Sequence, residues 1–240
     1  VNLRKCDFVA NRLIDEYLFG FDHPYGRYTS TLDYDKLERD RLVDFYDKYY
    51  RQGKCILFVA GKLPGDIHRQ LNAVFGKLPL NESIIPKTTI QPTPARETRY
   101  EMLNDPAGVQ GAIRIARPFP NRHHPDFAKV SVLNNIFGGF FGSRLMSNIR
   151  EDKGCTYGIH SYLQKHIQTS AWMVSTEAGR DVCRATIQEV YKEMELLCKE
   201  PVDDEELQLV RNYMMGSILG DLDGPFQILY RWKNIILNGL

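Results

Sequence analysis

The glycine-rich segment at residues 135–157, which reads NIFGGFFGSRLMSNIREDKGCTY, constrains the fold more than any other feature of this chain. Its first three glycines are typical of a helix end followed by a tight link, because glycine adopts backbone conformations that other residues avoid. Ser143 is a residue type that caps the first turn of a helix, and the last glycine suits a helix C-terminus. The segment therefore predicts one helix end, a short helix through Ile149 and a strand that begins near Tyr157. The glycines are Gly138, Gly139, Gly142 and Gly154.

Two polar side chains are brought together by this predicted arrangement. Arg150 falls in the last turn of the short helix and Tyr157 at the start of the strand. Both carry hydrogen-bond donors, so both can point donors at one extended peptide. The residues alone also allow a simpler interpretation, in which Arg150 complements the helix dipole and Tyr157 packs as a strand aromatic.

Ten ordered positions of the segment resemble the signature of the C-terminal, substrate-binding domain of M16 zinc metallopeptidases. This is the pitrilysin and insulinase type, which includes mitochondrial processing peptidase and its bacterial relatives. The matching residues are Gly138, Gly139, Ser143, Arg144, Leu145, Ile149, Arg150, Glu151, Gly154 and Tyr157.

The resemblance implies an α+β fold built from M16 units, each a mostly antiparallel sheet covered by helices. It further implies that residues 1–78 form the C-terminal part of a first unit and residues 79–97 a linker. Residues 98–240 would then form a second, substrate-binding unit, truncated at its C-terminus. The prolines of residues 79–97 agree with a linker, since they fall among polar residues with little apolar periodicity.

The same resemblance implies roles for individual residues. Arg150 and Tyr157 would bind the backbone of a peptide substrate while zinc on another domain hydrolyses it. From charge and spacing alone we expect Arg144 to form a salt bridge within the unit and Glu151 to orient Arg150. Gly138, Gly139, Gly142 and Gly154 are expected to be structural.

The zinc chemistry of the family is not encoded in this chain. An M16 peptidase needs His-x-x-Glu-His on a helix, and none of the six histidines has a glutamate placed to complete that motif. We therefore predict no catalytic residue, no metal ligand and no activity in this chain alone, with zinc in the parent protein or a partner subunit. The alternative is a structural assembly subunit of the same fold without a protease role.

The histidines themselves suggest no other metal site. His123 and His124 are neighbours in a proline-flanked loop, and neighbouring side chains diverge. His160 and His166 would share one strand face but lie about 20 Å apart. The five cysteines are scattered and include no Cys-x-x-Cys pair, which argues against a disulfide framework or a zinc knuckle.

Composition excludes some partners. The 31 basic and 30 acidic residues nearly cancel, so nothing favours nucleic acid as a ligand. Apolar stretches are too short for a membrane span. The chain begins at Val1 and carries no targeting segment, so we expect it to belong to a longer polypeptide and leave the compartment open between cytoplasm and periplasm.

Periodicity predicts the remaining elements. The expected helices are residues 3–20, 35–50, 65–75, 126–137, 181–199, 203–219 and 225–238. The expected strands are residues 55–61, 99–104, 109–117, 157–165 and 170–177, with the last two forming a hairpin.

Overall fold

The computed structural model describes residues 2–53, 55–78 and 89–240. The chain divides into two compact units, which we call the sheet unit (Val1–Tyr28 and Ile90–Met215) and the helical unit (Thr29–Thr89 and Gly216–Leu240). The division into residues 1–78, 79–97 and 98–240 stays a prediction, because residues 79–88 lie outside the described ranges.

Most helices are segregated from the strands along the chain, as in an α+β fold. In order they are α1 (Cys6–Phe19), α2 (Thr31–Asp35), α3 (Arg39–Tyr49), α4 (Ile67–Val74), β1 (Gln110–Phe119), α5 (Phe127–Asn134), β2 (Thr156–Leu163), β3 (Ser170–Gly179), α6 (Cys183–Lys199), α7 (Asp204–Gly220) and α8 (Pro225–Asn238). A 3₁₀ turn occupies Asn2–Arg4, and two π-helical turns occupy Asn135–Gly139 and Met146–Asp152. No helix among the described residues is both long enough and apolar enough to cross a bilayer.

The sheet is antiparallel, with β3 in the centre between β1 and β2. Val174 of β3 lies opposite Ile115 on one side and Ser161 on the other. The predicted α+β class and the predicted hairpin are therefore confirmed. The hairpin could be anticipated because its two strands are neighbours in sequence, and alternating apolar residues then specify the register.

Each face of the sheet is covered by helical segments. One face packs against α1 through Leu18, Phe19, Ala171 and Met173. The other packs against the π-helical turns and α6, through a cluster of Phe137, Leu145, Met146, Ile149, Ile159, Val174 and Val190. Burial of side chains of this size stabilises the fold by about 1.5–3 kcal/mol each relative to exposure. The glycine-rich segment is therefore part of the core and holds a fixed position against β2.

The helix expected at residues 35–50 is wrong in its start. α3 begins only at Arg39, and a separate short helix precedes it at Thr31–Asp35. Ser30 and Asp33 explain the earlier start, because the Asp33 carboxylate accepts hydrogen bonds from both the Ser30 amide and the Ser30 hydroxyl at 2.8 Å. This capping box begins a helix before the predicted one.

Two predicted strands do not form, although residues 55–60 and 99–104 lie within the described ranges. The apolar side chains Ile56, Leu57 and Val59 are exposed, so the expected buried strand is wrong. At residues 99–104, Tyr100 stacks on Tyr17 of α1 with ring centroids 3.9 Å apart. A strand needs a partner ladder as well as a suitable pattern, and neither segment pairs with the described sheet.

Candidate functional site

The first glycine of the segment lets the backbone approach β2. A Cβ on Gly138 would lie 2.7 Å from the Ser161 hydroxyl and 2.8 Å from both Leu145 Cδ1 and the Ser161 amide nitrogen. Distances this short are steric clashes, so only glycine fits there without a shift of the surrounding atoms. Gly138 thereby places the following helical turn directly beside the strand that carries Tyr157.

The helical turn begins and ends close to the predicted positions, with one difference in the cap. The Ser143 carbonyl accepts a hydrogen bond from the Ser147 amide at 3.0 Å. Its hydroxyl is buried and has no hydrogen-bond partner in the part of the chain that the structure describes, so the predicted side-chain cap is wrong. The turn ends at Asp152. Gly154, just beyond it, has a φ of +62°, the left-handed conformation expected of a glycine that follows a helix.

Arg150 and Tyr157 are brought together, through the main chain of the tyrosine. Arg150 Nε donates to the Tyr157 carbonyl oxygen at 2.9 Å. The guanidinium also lies over the ring of Phe141, with its central carbon 4.7 Å from the ring centroid. Its Nη1 lies 3.5 Å from Glu151 Oε1, which is an ion pair at the outer limit of a hydrogen bond.

Tyr157 lies on a β-bulge. The pairing of β2 with β3 shifts between Thr156 and Ile159, so Tyr157 and Gly158 fall in the irregular part of the ladder. Bulges turn side chains away from the regular alternation of a strand. The Tyr157 side chain is 93% exposed, and its hydroxyl makes no hydrogen bond to any described residue. It is therefore not a packed strand aromatic.

Arg144 is tied to α7. Its Nε and Nη2 atoms donate to the two carboxylate oxygens of Glu206, both at 2.7 Å. These hydrogen bonds raise the pKa of the Arg144 guanidinium above its ordinary value. The expected salt bridge thus has a partner that the sequence did not single out. A partner 62 positions away leaves no local signal in the sequence.

The outer side of β2 is covered by side chains from the helical elements beside it. Three of its main-chain groups, at alternate residues, have side-chain partners, so this stretch of the strand is not free to pair with another strand. The contacts are Arg150 Nε to the Tyr157 oxygen at 2.9 Å, the Ile159 nitrogen to Met146 Sδ at 3.4 Å, and Asn134 Nδ2 to the Ser161 oxygen at 3.1 Å.

Within the described residues, no group of three or more His, Cys, Asp or Glu side chains is arranged to hold a metal ion. His23 is buried, with its ring nitrogens 3.1 Å from the Ile90 oxygen and the Tyr25 nitrogen. His166 stacks on Tyr25 with ring centroids 4.0 Å apart, and burial lowers the pKa of its imidazole. These two histidines lie in an aromatic cluster.

Comparison with known proteins identifies relatives along most of the chain. Residues 36–214 match the family model described as the peptidase M16 inactive domain. The uncharacterized zinc protease YmxG of Bacillus subtilis is 22% identical over 201 residues, which is 83% of this chain and 48% of the relative. An uncharacterized zinc protease of Rickettsia felis is 24% identical over 184 residues, 75% of this chain and 43% of the relative. The chain therefore spans about half the length of these relatives.

Solved structures share the fold. A peptidase M16 inactive domain from Pseudomonas fluorescens superposes with a TM-score of 0.76 at 20% identity, covering 99% of this chain and 57% of that one. A chain of complex III2 from Candida albicans superposes with a TM-score of 0.71 at 15% identity, covering 97% of this chain and 57% of that one. At these identities the likeness shows the fold alone.

Proposed function

The chain belongs to the peptidase M16 inactive-domain family, and we propose that it is the non-catalytic, peptide-holding portion of a zinc metalloprotease of that family. In this proposal Arg150 and Tyr157 hold the backbone of an extended peptide. The names of the relatives, which describe zinc proteases, support the class of reaction. The zinc and its His-x-x-Glu-His motif belong to the rest of the parent protein or to a partner subunit.

The observation that carries the proposal is the exposed phenol of Tyr157. Burial of a tyrosine ring is worth roughly 2 kcal/mol, yet this ring is 93% exposed beside a well-packed core. Arg150 binds the carbonyl of the same residue, so the backbone that carries the exposed side chain is held in place. In this proposal the phenol O–H donates to a substrate carbonyl near the cleaved bond and stabilises charge that develops there.

Arg150 contributes donors and a flat surface. A guanidinium carries five N–H donors, and the contacts to the Tyr157 oxygen and Glu151 involve Nε and Nη1. The remaining donors can bind a second carbonyl of the peptide. Phe141, 62% exposed, lies against the guanidinium and extends the surface beyond it. A surface of this kind suits a peptide main chain flanked by an apolar side chain.

Side chains that cover the outer side of β2 restrict the positions in which a peptide can bind. Asn134 and Met146 already contact the main chain at Ser161 and Ile159. We therefore propose that the peptide meets the sheet at its Tyr157 end and does not pair along the whole of β2. Glu151 and Arg144 act as supporting residues, the first beside Arg150 and the second through Glu206.

The test uses the full-length protein, together with its zinc-bearing partner if the zinc motif lies on a second chain. Arg150→Ala and Tyr157→Phe should each lower cleavage of fluorescein-labelled casein by about tenfold or more, because each removes an interaction made in the transition state. Zinc content, measured by atomic absorption, should stay unchanged.

Matched controls come from the surface of α6. Arg184→Ala and Tyr191→Phe change the same residue types at exposed positions of α6 and should leave cleavage unaltered. Full cleavage by both the Arg150 and Tyr157 variants would overturn the proposal and favour a structural assembly role for the same fold.

A further inference from the structure

Two threonine hydroxyls lie together beneath the bulge that carries Tyr157. Thr156 precedes Tyr157 on β2 and lies opposite Ala178 of β3. Thr176 of β3 lies opposite Ile159, on the other side of the bulge, with only 2% of its surface exposed. Their hydroxyl oxygens are 2.8 Å apart. Alternation along a regular strand does not by itself bring these two side chains into contact with the main chain of the bulge.

The hydroxyls bind both main-chain groups of Gly158. Thr176 Oγ1 donates to the Gly158 oxygen at 2.9 Å, and the Gly158 nitrogen donates to Thr156 Oγ1 at 3.2 Å. Thr156 Oγ1 in turn donates to the Glu177 oxygen at 2.6 Å. One assignment of the two hydroxyl protons satisfies all three bonds, so the polar groups of the bulge are paired although the regular ladder is interrupted.

The bulge is thereby held from two sides. Arg150 binds the carbonyl of Tyr157 from the helical turn, and the threonines bind Gly158, the next residue, from within the sheet. These bonds hold the carbonyl of Tyr157 and both main-chain groups of the next residue, which restricts where the Tyr157 phenol can project. A displacement of a catalytic group by about 1 Å can lower a rate by about a hundredfold, so such support matters for a group that meets a reacting carbonyl.

We propose that Thr156 and Thr176 are positioning residues for Tyr157. They act through the backbone of the bulge and do not touch the substrate themselves. This inference rests on the proposed function, because it concerns how the Tyr157 phenol is aimed. The experiment separates this role from one in which the two hydroxyls only stabilise the sheet.

Valine and serine substitutions isolate the hydroxyl. Thr176→Val and Thr156→Val keep the shape and remove the hydrogen bonds, whereas Thr176→Ser and Thr156→Ser keep the hydroxyl and remove a methyl group. In the full-length protein, each valine variant should lower kcat/KM for fluorescein-labelled casein by about tenfold, mainly through kcat. The serine variants should restore kcat/KM to within about twofold of the unaltered protein. Because Thr156 is less buried than Thr176, its valine variant serves if Thr176→Val fails to fold.

The decisive comparison repeats Thr156→Val and Thr176→Val in a Tyr157→Phe background. If the threonines act by aiming the phenol O–H, removing that O–H first should reduce their effect to less than about twofold. An equal tenfold loss in both backgrounds, or activity lost in the serine variants as well, would overturn the positioning role. Wild-type activity in Tyr157→Phe with both threonines intact would also overturn the positioning role. Wild-type activity in Arg150→Ala as well would overturn the proposed function, so the two failures are distinguishable.

Discussion

Most apolar side chains of the glycine-rich segment are buried, but those on α3 of the helical unit are exposed. Ile149 and Leu145 are fully buried between the sheet and α6. On α3 of the helical unit, Leu42 and Phe45 are 52% and 53% exposed. Both regions form helical turns from sequences with comparable apolar content. The difference shows that helix formation follows from local pattern, whereas a core requires a second layer against which the pattern can pack.

The same contrast applies to strands. β2 and β3 are joined by a short loop, so each supplies the ladder partner of the other. The apolar run at residues 55–60 has no such partner among the described residues and forms no strand. In a hairpin the two strand patterns support each other, although the strand predicted at residues 109–117 also forms, as β1, and pairs with the distant β3.

The largest expected effect is the loss of stability when a buried side chain of the glycine-rich segment is truncated. Ile149→Ala should lower the free energy of unfolding by about 4 kcal/mol, since it removes fully buried methyl groups and leaves a cavity. Leu42→Ala on α3 should cost less than about 0.5 kcal/mol. Urea unfolding of both variants measures the difference. Equal destabilisation would mean that α3 is covered as thoroughly as the glycine-rich segment.

Two glycine-to-alanine substitutions, one in each region, extend the comparison. Gly138→Ala should destabilise by about 3 kcal/mol, because its Cβ would meet Ser161 and Leu145 at less than 3 Å. Gly65→Ala in the helical unit places its Cβ in open space and should be close to neutral. Unfolding midpoints in urea test this prediction. A tolerated Gly138→Ala would show that the segment can move away from β2.

An ion pair gives the next contrast. Arg144→Ala should cost about 2 kcal/mol, because it leaves the half-buried carboxylate of Glu206 without its two-bond partner. Arg69→Ala removes the partner of Asp66 in a largely exposed pair on α4 and should cost no more than about 0.5 kcal/mol. Thermal unfolding of the two variants at matched ionic strength provides the measurement. A similar small loss in both would indicate that Glu206 does not anchor the segment.

Much of the fold follows from local sequence signals. The predicted bounds of α6, α7 and α8 lie within two residues of the observed ones, because each helix has an amphipathic or capping signal of its own. Gly154 was likewise recognisable as a helix end from its position alone. Local signals fail for the strands expected at residues 55–61 and 99–104, because neither segment finds a ladder partner in the described sheet.

The candidate site also combines features that local sequence predicts with features that depend on distant residues. Arg150 and Tyr157 are seven residues apart on a helix–strand link, so their proximity could be predicted from spacing. Glu206 and Thr176 contact the site from 62 and 18 positions away, through pairings that only the tertiary structure supplies. The bulge itself has no reliable sequence pattern, because it is an irregularity in a ladder whose register depends on β3.

The smallest expected effect is a pH dependence of stability that arises in the aromatic cluster around His166. In the glycine-rich segment, by contrast, stability comes from packing and hydrogen bonds. Burial and the nearby His23 lower the pKa of His166, although Asp15 opposes the shift. A histidine with a lowered folded-state pKa contributes stability that is present above its unfolded pKa of about 6.5 and is lost as the pH falls toward the folded value. Unfolding free energy should therefore fall by less than about 1 kcal/mol between pH 7.5 and 5.5 from this group.

His166→Phe keeps a ring stacked on Tyr25 and removes the titrating group. The variant should lose less stability than the unaltered chain over that pH interval, as measured by urea unfolding at the two pH values. Asp15 contributes with the opposite sign, because burial raises the pKa of its carboxyl and its ionisation then opposes folding as the pH rises above about 3.8. Protonation of Asp15 should therefore raise the free energy of unfolding as the pH falls. Asp15→Asn, which keeps an oxygen for Gln164, should remove this rise. An unchanged pH dependence in both variants would show that the cluster is as insensitive to protonation as the apolar core on the other face of the sheet.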